Sequence, residues 1–440
     1  MLMVVLAGCF AYFALRMVRG LPTDADPYKG DFEHFYHAAA AMAGGQDIYA
    51  SHTKGYIYPP LVALLLIPLG LIEDPWTAQA IYGGINLALV AVTLGMAWRA
   101  VRTRLGLPSD RLTAIAVITV GLAFCFEPVR QEIEEGQTDT LVAASLAAAF
   151  LSLDRRPWLA GLLVGFAGNV KYQSLVVLPY LLLRRRWAAA AGSVAGLVFF
   201  ALVSAVVVGW RTNLEYLAVA FRGVGKLFGL SAPGEAVATH DIRWEKSVSI
   251  TSGIAKTLGP QVSDMLVMGL TGVAAMGVLA AAWLIFRVRA TALLVGRGGE
   301  LERSPARRGV VLLEWGGLAV AVLAFSPQTT VRHMYIALPV FMTAAALLLV
   351  PRVGVARWPL AAGVVVAIAG MLLPPGNVES VKPMLDQWRQ IGGSSWCLVL
   401  MFLAMLWVGL ETERARAAGA PLADPPPGHD AQGRKLSDAG

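Results

Sequence analysis

The chain has 440 residues, 57% of them hydrophobic and 15% charged, where soluble domains carry about 25% charged residues. That deficit, a mean hydropathy of +0.61 and apolar blocks approaching the ~20 residues of helix that cross a bilayer exclude a soluble globule and predict an all-α polytopic membrane protein. The net charge of +7 does not point to nucleic acid, because the basic residues are strung between apolar blocks rather than clustered on one polar face.

In chain order the apolar blocks predict about 12 spans: 2–18, 77–98, 112–127, 138–153, 157–171, 172–183, 188–209, 263–286, 310–325, 334–350, 359–374 and 394–410. The first reads as a retained helix rather than a cleavable signal, since no basic segment or A-x-A-like site accompanies it. Residues 19–76 form the first polar connection, with a helix predicted from Asp31 to Met42. Within it, Tyr58-Pro59-Pro60 to Ile72 is apolar but spans only about half a bilayer, so it is expected to be re-entrant or interfacial. Cys9, Cys125 and Cys397 lie in or beside apolar runs without metal-ligand spacing and should pack as small apolar side chains.

Alternate connections differ in charge. One set holds Arg99, Arg102, Arg104 and Arg111, then Arg155 and Arg156, Arg184 to Arg186, Arg287 and Arg289, Arg297 to Arg308, Arg352 and Arg357, and Arg414 and Arg416. Excess Arg and Lys marks the cytoplasmic side, although Arg16 and Arg19 go against the pattern. The first connection, Glu127 to Gln137, the Lys171 corner, the 210–262 loop with its His240-Asp241 pair, and Ser326 to His333 are therefore expected on the outer face of a cell membrane. Residues 412–440, rich in Ala, Pro, Gly and Asp, read as a disordered cytoplasmic tail after a membrane domain covering 1–411.

The polar residues on that side leave their roles open. Asp31 follows Gly30 at the start of a helix, where an aspartate either caps the helix or serves as a general base at the membrane surface. Asp31, His34 and His37 share a helical face that offers metal ligands, though His beside Phe32, Phe35 and Tyr36 more often packs. Gly136-Gln137-Thr138-Asp139 reads as a helix cap. Lys171 suits either snorkelling or neutralising a lipid phosphate. Arg332 and His333 suit either an interfacial anchor or recognition of a phosphate.

Taken together, the ordered set D-F-E-H-F-Y-H-A-A from Asp31, G-Q-D-I-Y to Tyr49, Y-P-P-L-V-A-L-L-L-I-P-L from Tyr58, Gly136-Gln137, Lys171 with R-R-R-W after the next span, and S-P…H-M-Y-I-A-L-P from Ser326 to Pro339 resembles the C-type membrane glycosyltransferases. The likeness is greatest to glycosyltransferase family 87, which includes polyprenyl-phosphate-mannose-dependent α-mannosyltransferases of actinobacterial envelopes. The resemblance implies the C-type architecture and a hexosyltransferase that uses a polyprenyl-phosphate sugar, mannose for the family, and a lipid or glycan acceptor. It maps the family's base onto Asp31 and a functional His onto His333, and it implies that Lys171, Arg332, His333 and Gln137 meet the donor phosphate or the acceptor. Tyr36, Tyr58 and His34 are expected to line the groove. Departures from the pattern are Asp139 where Asn is usual after Gly-Gln, Lys171 without a close following Pro, and Arg rather than His before His333. A lipid phosphate is already a good leaving group, so such an enzyme needs one base rather than the two carboxylates of a glycosidase; no cofactor is expected, and a divalent metal stays open. The rival class is a lipid or sugar transporter or flippase, against which stand the lack of an internal repeat and the gathering of polar groups on one side.

Overall fold

A computed structural model describes residues 8, 11–12, 15, 18–21, 30–51, 56–227, 241–291, 294, 308–372, 380 and 382–422. Cys9, Arg16, His240, Arg297 and the tail from 423 fall outside them. Every regular element among the described residues is helical, apart from one isolated antiparallel bridge between Arg352 and Leu422.

The first connection carries α1 (Phe32–Ala43) and α2 (Pro60–Gly70). A long α3 (Pro75–Leu105) follows, capped at its start by the Asp74 carboxylate and closed by left-handed Gly106. Next come α4 (Arg111–Phe124), α5 (Phe126–Glu135), α6 (Asp139–Ser152) and α7 (Pro157–Val170), then a 3-10 turn (Tyr172–Val176) leading into α8 (Val177–Leu183). The chain continues through α9 (Trp187–Leu202), α10 (Ala205–Val208), α11 (Trp210–Leu227), α12 (Ile250–Leu258), α13 (Asp264–Val288) and α14 (Arg308–Phe325). A 3-10 turn (Arg332–Ala337) opens α15 (Leu338–Leu349), followed by α16 (Trp358–Ala367), α17 (Lys382–Gln390) and α18 (Gly393–Ala417).

Six of these segments are long and apolar enough to cross a bilayer: 75–105, 187–208, 264–288, 308–325, 332–349 and 393–417. The count reaches seven if α4 and α5, bent by 69° at Cys125, form one span, against the dozen expected from the apolar blocks. The expected span 2–18 and the end of 359–374 lie largely outside the described residues, and the rest of the difference lies in broken segments. Helices α6 and α7 have 14 residues each, which at 1.5 Å per residue reach about 21 Å of a ~30 Å hydrocarbon core. The expected span 172–183 is a 3-10 turn and a seven-residue helix. The stretch 60–70 is a short apolar helix, as its length implied, and α18 continues to Ala417, past the expected start of the tail. Cys125 and Cys397 are buried free thiols.

Close backbone packing sets the position of the Lys171 corner. Gly161 and Gly165 on α7 face Gly192 and Gly196 on α9, a pair of small-xxx-small stripes of the kind that let apolar helices touch. A Cβ on Gly192 would stand 2.7 Å from the Trp158 carbonyl oxygen, and one on Gly196 2.9 Å from the Leu162 Cα. Asn169 ties the end of α7 to the Leu197 carbonyl at 2.9 Å. The chain then leaves α7 in an extended conformation at Lys171 (φ −142°, ψ 117°), which turns that side chain inward.

Arginines from several of the Arg-rich connections meet at one end of α3. Arg104 and Arg186 both hold Asp154, Arg184 pairs with Glu314, Arg289 with Glu411 at 2.9 Å, and Arg416 donates to the Arg104 carbonyl at 2.8 Å. At the other end of α3, Tyr82 and Asn86 donate to the Gln137 carbonyl at 3.0 and 3.2 Å. Asn86 and Arg104 are separated along that helix by about 27 Å, close to a hydrocarbon core.

Candidate active site

Two left-handed glycines build the floor. Gly30 (φ +68°) and Gly136 (φ +64°) let the start of α1 press against the end of α5, where a Cβ on Gly30 would meet the Glu135 carbonyl at 2.7 Å and one on Gly136 the Phe32 Cβ at 2.9 Å. The Asp31 amide donates to the Glu135 carbonyl at 2.9 Å, which fixes Asp31 beside Gln137.

Asp31 occupies the N-cap position of α1 and does not cap it. Its helical backbone (φ −83°, ψ −10°) makes no side-chain cap bond, whereas a capping side chain needs an extended N-cap backbone. The carboxylate instead accepts from the Gln137 side-chain amide and pairs with the Arg332 guanidinium at 2.8 Å. Its side chain remains 32% exposed while that of Arg332 is 16% exposed, so the acid is held firmly and is still open to a reactant. Arg332 also bridges to Glu135.

A second, deeper cluster lies alongside. Asp139 is fully buried at the start of α6, and its Oδ1 meets the Lys171 ammonium at 2.6 Å. The Thr330 amide donates to His333 Nδ1 at 2.9 Å, so in the neutral ring Nε2 carries the proton, and that atom stands 3.9 Å from Asp139 Oδ2. The Lys171 ammonium also sits 6.0 Å from the centre of the Tyr58 ring, which packs edge-on against Phe35 at 5.0 Å. Burial pushes the Tyr58 phenol above its ordinary value, with the Lys171 charge opposing and the Asp31 and Asp139 charges adding. The Gly136-Gln137-Thr138-Asp139 stretch was expected to cap α6, but Thr138 at the N-cap makes no side-chain cap bond; buried Glu132 accepts from the Thr140 amide at 3.2 Å instead.

The segment before Arg332 is clamped by the second half of the 210–262 connection. Val248 donates to the Thr329 carbonyl at 2.7 Å, Ser247 to the Pro327 carbonyl at 2.9 Å, and Thr251 to the Phe325 carbonyl at 2.5 Å. Gln173, just past Lys171, donates to Ser326 at 2.8 Å.

Five of the anticipated residues therefore meet in one place: Asp31, Gln137, Lys171, Arg332 and His333, with Tyr58 at their edge. Tyr36 does not join them. It is buried with Phe32, Leu69, Ala78 and Tyr82 and donates to the Ile72 carbonyl at 2.6 Å, contacts within the first connection and the start of α3. His34 is half-buried on α1, its amide donating to the Asp31 carbonyl at 3.1 Å. The Asp31, His34 and His37 face forms no metal-holding group among the described residues. Glu135 and Asp139 were not foreseen as partners; the only signal was that an acidic run ended in Gly-Gln-Thr-Asp.

Residues 56–301 match the description of glycosyltransferase family 87, more than half of the chain. The protein belongs to that family. The matched range contains Tyr58, Gln137, Asp139 and Lys171, while Asp31, Arg332 and His333 lie outside it and are joined to it by the contacts above. This family 87 member is 31% identical over 301 residues, 63% of its own length and 69% of the relative's, to a polyprenol-phosphate-mannose-dependent α-(1-2)-phosphatidylinositol pentamannoside mannosyltransferase of Mycolicibacterium smegmatis. It is 29% identical over 221 residues, 46% of the chain and 49% of the relative, to a polyprenol-phosphate-mannose-dependent α-(1-2)-phosphatidylinositol mannoside mannosyltransferase of the same organism. An α-(1->3)-arabinofuranosyltransferase of Corynebacterium glutamicum is 26% identical over 180 residues, 40% of each chain.

Proposed function

We propose that this glycosyltransferase moves a mannosyl group from a polyprenyl phosphate to a hydroxyl of a glycolipid acceptor, by inverting single displacement, at the outer face of the cell membrane. The observation that carries the reading is the Asp31 carboxylate, free of helix capping, partly open, and oriented by Gln137 and Arg332. The mannosyltransferase relatives support the donor and the acceptor class. The separation of this cluster from the Arg-rich end of the bundle supports the outer face.

In this reaction Asp31 takes the proton of the acceptor hydroxyl as its oxygen bonds to the anomeric carbon. The bond from that carbon to the phosphate oxygen breaks, and its electron pair leaves with the polyprenyl phosphate. Lys171, Arg332 and the Nε2–H of His333 are the donors that offset the charge on the departing phosphate. Before substrate binds, both cations are neutralised from within, Arg332 by Asp31 and Glu135 and Lys171 by Asp139. An incoming phosphate competes with Asp31 for Arg332, and as the guanidinium turns toward it the carboxylate is freed to meet the acceptor hydroxyl.

The test uses purified protein, radiolabelled polyprenyl-phosphate-mannose and a lipid extract. Label on a new glycolipid, lost in Asp31→Asn, is the expected result. Donor that crosses vesicles without sugar transfer would identify a flippase instead.

A further inference from the structure

The helix α11 divides into three sectors that no part of the proposed reaction uses. Asn213, Tyr216, Ala220 and Gly223 are buried, and at 100° per residue they share one side. Trp210, Leu214 and Phe221 fall within about 40° of one another and are 60%, 44% and 68% exposed. Arg211, Glu215 and Arg222, all exposed, lie about 100° farther around. A helix with one face on protein, a lateral apolar stripe and a charged stripe has the arrangement of a helix lying flat at a membrane surface.

The stripe continues an exposed apolar surface on a helix long enough to cross a bilayer. Val194, Val198, Phe199, Val206 and Val207 are exposed along the span 187–208, and at Gly209 (φ +82°) the chain turns directly into Trp210. The turn leads to the end of the bundle that carries Asp31. On its buried face, Tyr216 donates to the Gln46 carbonyl at 3.2 Å and accepts from the Ile48 amide at 3.4 Å. Tyr49 donates to the Tyr216 and Tyr58 carbonyls at 3.1 and 2.9 Å.

We infer that α11 is a bilayer-docked strap: Trp210, Leu214 and Phe221 insert among phospholipid chains, Arg211 and Arg222 lie at the phosphate level, and Tyr216 holds residues 46–49 of the first connection against the membrane. The occupant of the apolar stripe is the lipid surface itself. A phosphate-level position suits both arginines, whose long stems carry the guanidinium away from the hydrocarbon.

Spin labels placed at Leu214→Cys, Phe221→Cys, Arg211→Cys and Arg222→Cys, in full-length protein whose native cysteines are replaced by Ala, test this in phosphatidylcholine vesicles. The ratio of oxygen to water-soluble nickel chelate accessibility is expected to be several-fold higher at 214 and 221 than at 211 and 222. Equal ratios with high chelate access at all four would place α11 in water and overturn the inference. Low access to both reagents at 214 and 221 would show a protein partner on the stripe and overturn it as well. Adding Phe221→Asp should raise chelate access at 214, while an unchanged ratio there counts against insertion. None of these readings depends on sugar transfer.

Discussion

Arg332 holds Asp31 at 2.8 Å, so the strongest candidate for a base is paired with a cation before any substrate arrives. The pair joins the first polar connection to the turn that opens α15, two segments about 300 residues apart in the chain. It restrains Asp31 at rest, and a phosphate able to recruit the guanidinium would release it.

Asp31→Asn keeps the size of the side chain and its contact with Gln137 while removing its basicity. Transfer to acceptor lipid should fall by about 10²–10⁴-fold, the usual contribution of a general base. Thermal unfolding in detergent should remain close to that of the parent. Parent-like transfer would reject Asp31 as the base.

Arg332→Lys preserves one positive charge and loses the planar fork that reaches Asp31 and Glu135 together. A lost charged hydrogen bond costs roughly 1.5–3 kcal/mol, so kcat/KM for the donor should fall about tenfold to a hundredfold. The steady-state kinetics of labelled donor measure this directly.

Lys171 and Asp139 form a buried pair, with side chains 9% and 0% exposed. Removing one partner strands the other, at a typical cost of about 3–5 kcal/mol. Lys171→Met should therefore lower the unfolding temperature markedly, and Lys171→Met combined with Asp139→Leu should recover much of it. Activity should not return in the double variant, because the donor phosphate has lost its cation. Recovery of both would make the pair purely structural.

Gly192→Leu and Gly196→Leu test the contact between α7 and α9. Either side chain would drive into the opposing backbone, and overpacking of this kind costs about 1–3 kcal/mol. Loss of transfer should accompany loss of stability, since the same contact places Lys171. Unfolding temperature and transfer rate, measured on the same preparations, are expected to fall together.

Lys256 donates to the Ser247 carbonyl at 2.7 Å within the clamp on the 326–333 segment, and burial pushes its amine down to about 8 from the ordinary 10.5, with Glu245 opposing. Between those values the unfolded chain binds more protons than the folded one, so stability should rise as pH increases from about 8 toward 10.5. Below about 8 both states are protonated and this group adds no slope. Lys256→Met should abolish that component of the pH dependence, which unfolding curves across the range would show.

Composition and loop charge by themselves determined that the chain is a helical membrane protein, and that its Asp, Gln, Lys, Arg and His of interest lie at the end opposite the arginine-rich connections. Both are summed properties of apolar length and charge, and they survive errors in any one boundary. Ordered short motifs likewise pointed to the family. Apolar runs do not report breaks: the extended residue at Lys171, the 3-10 turns and the bend at Cys125 change the number of spans without changing hydropathy. Only the tertiary structure decided that the Asp31 carboxylate leaves α1 uncapped and meets Gln137 and Arg332 instead, because the two arrangements share a sequence position and differ in backbone angle and partner. It also brought in Glu135 and Asp139 as partners. Ion pairing depends on distances set by residues such as Gly30, Gly136, Gly192 and Gly196, whose effect is felt between segments far apart in the chain.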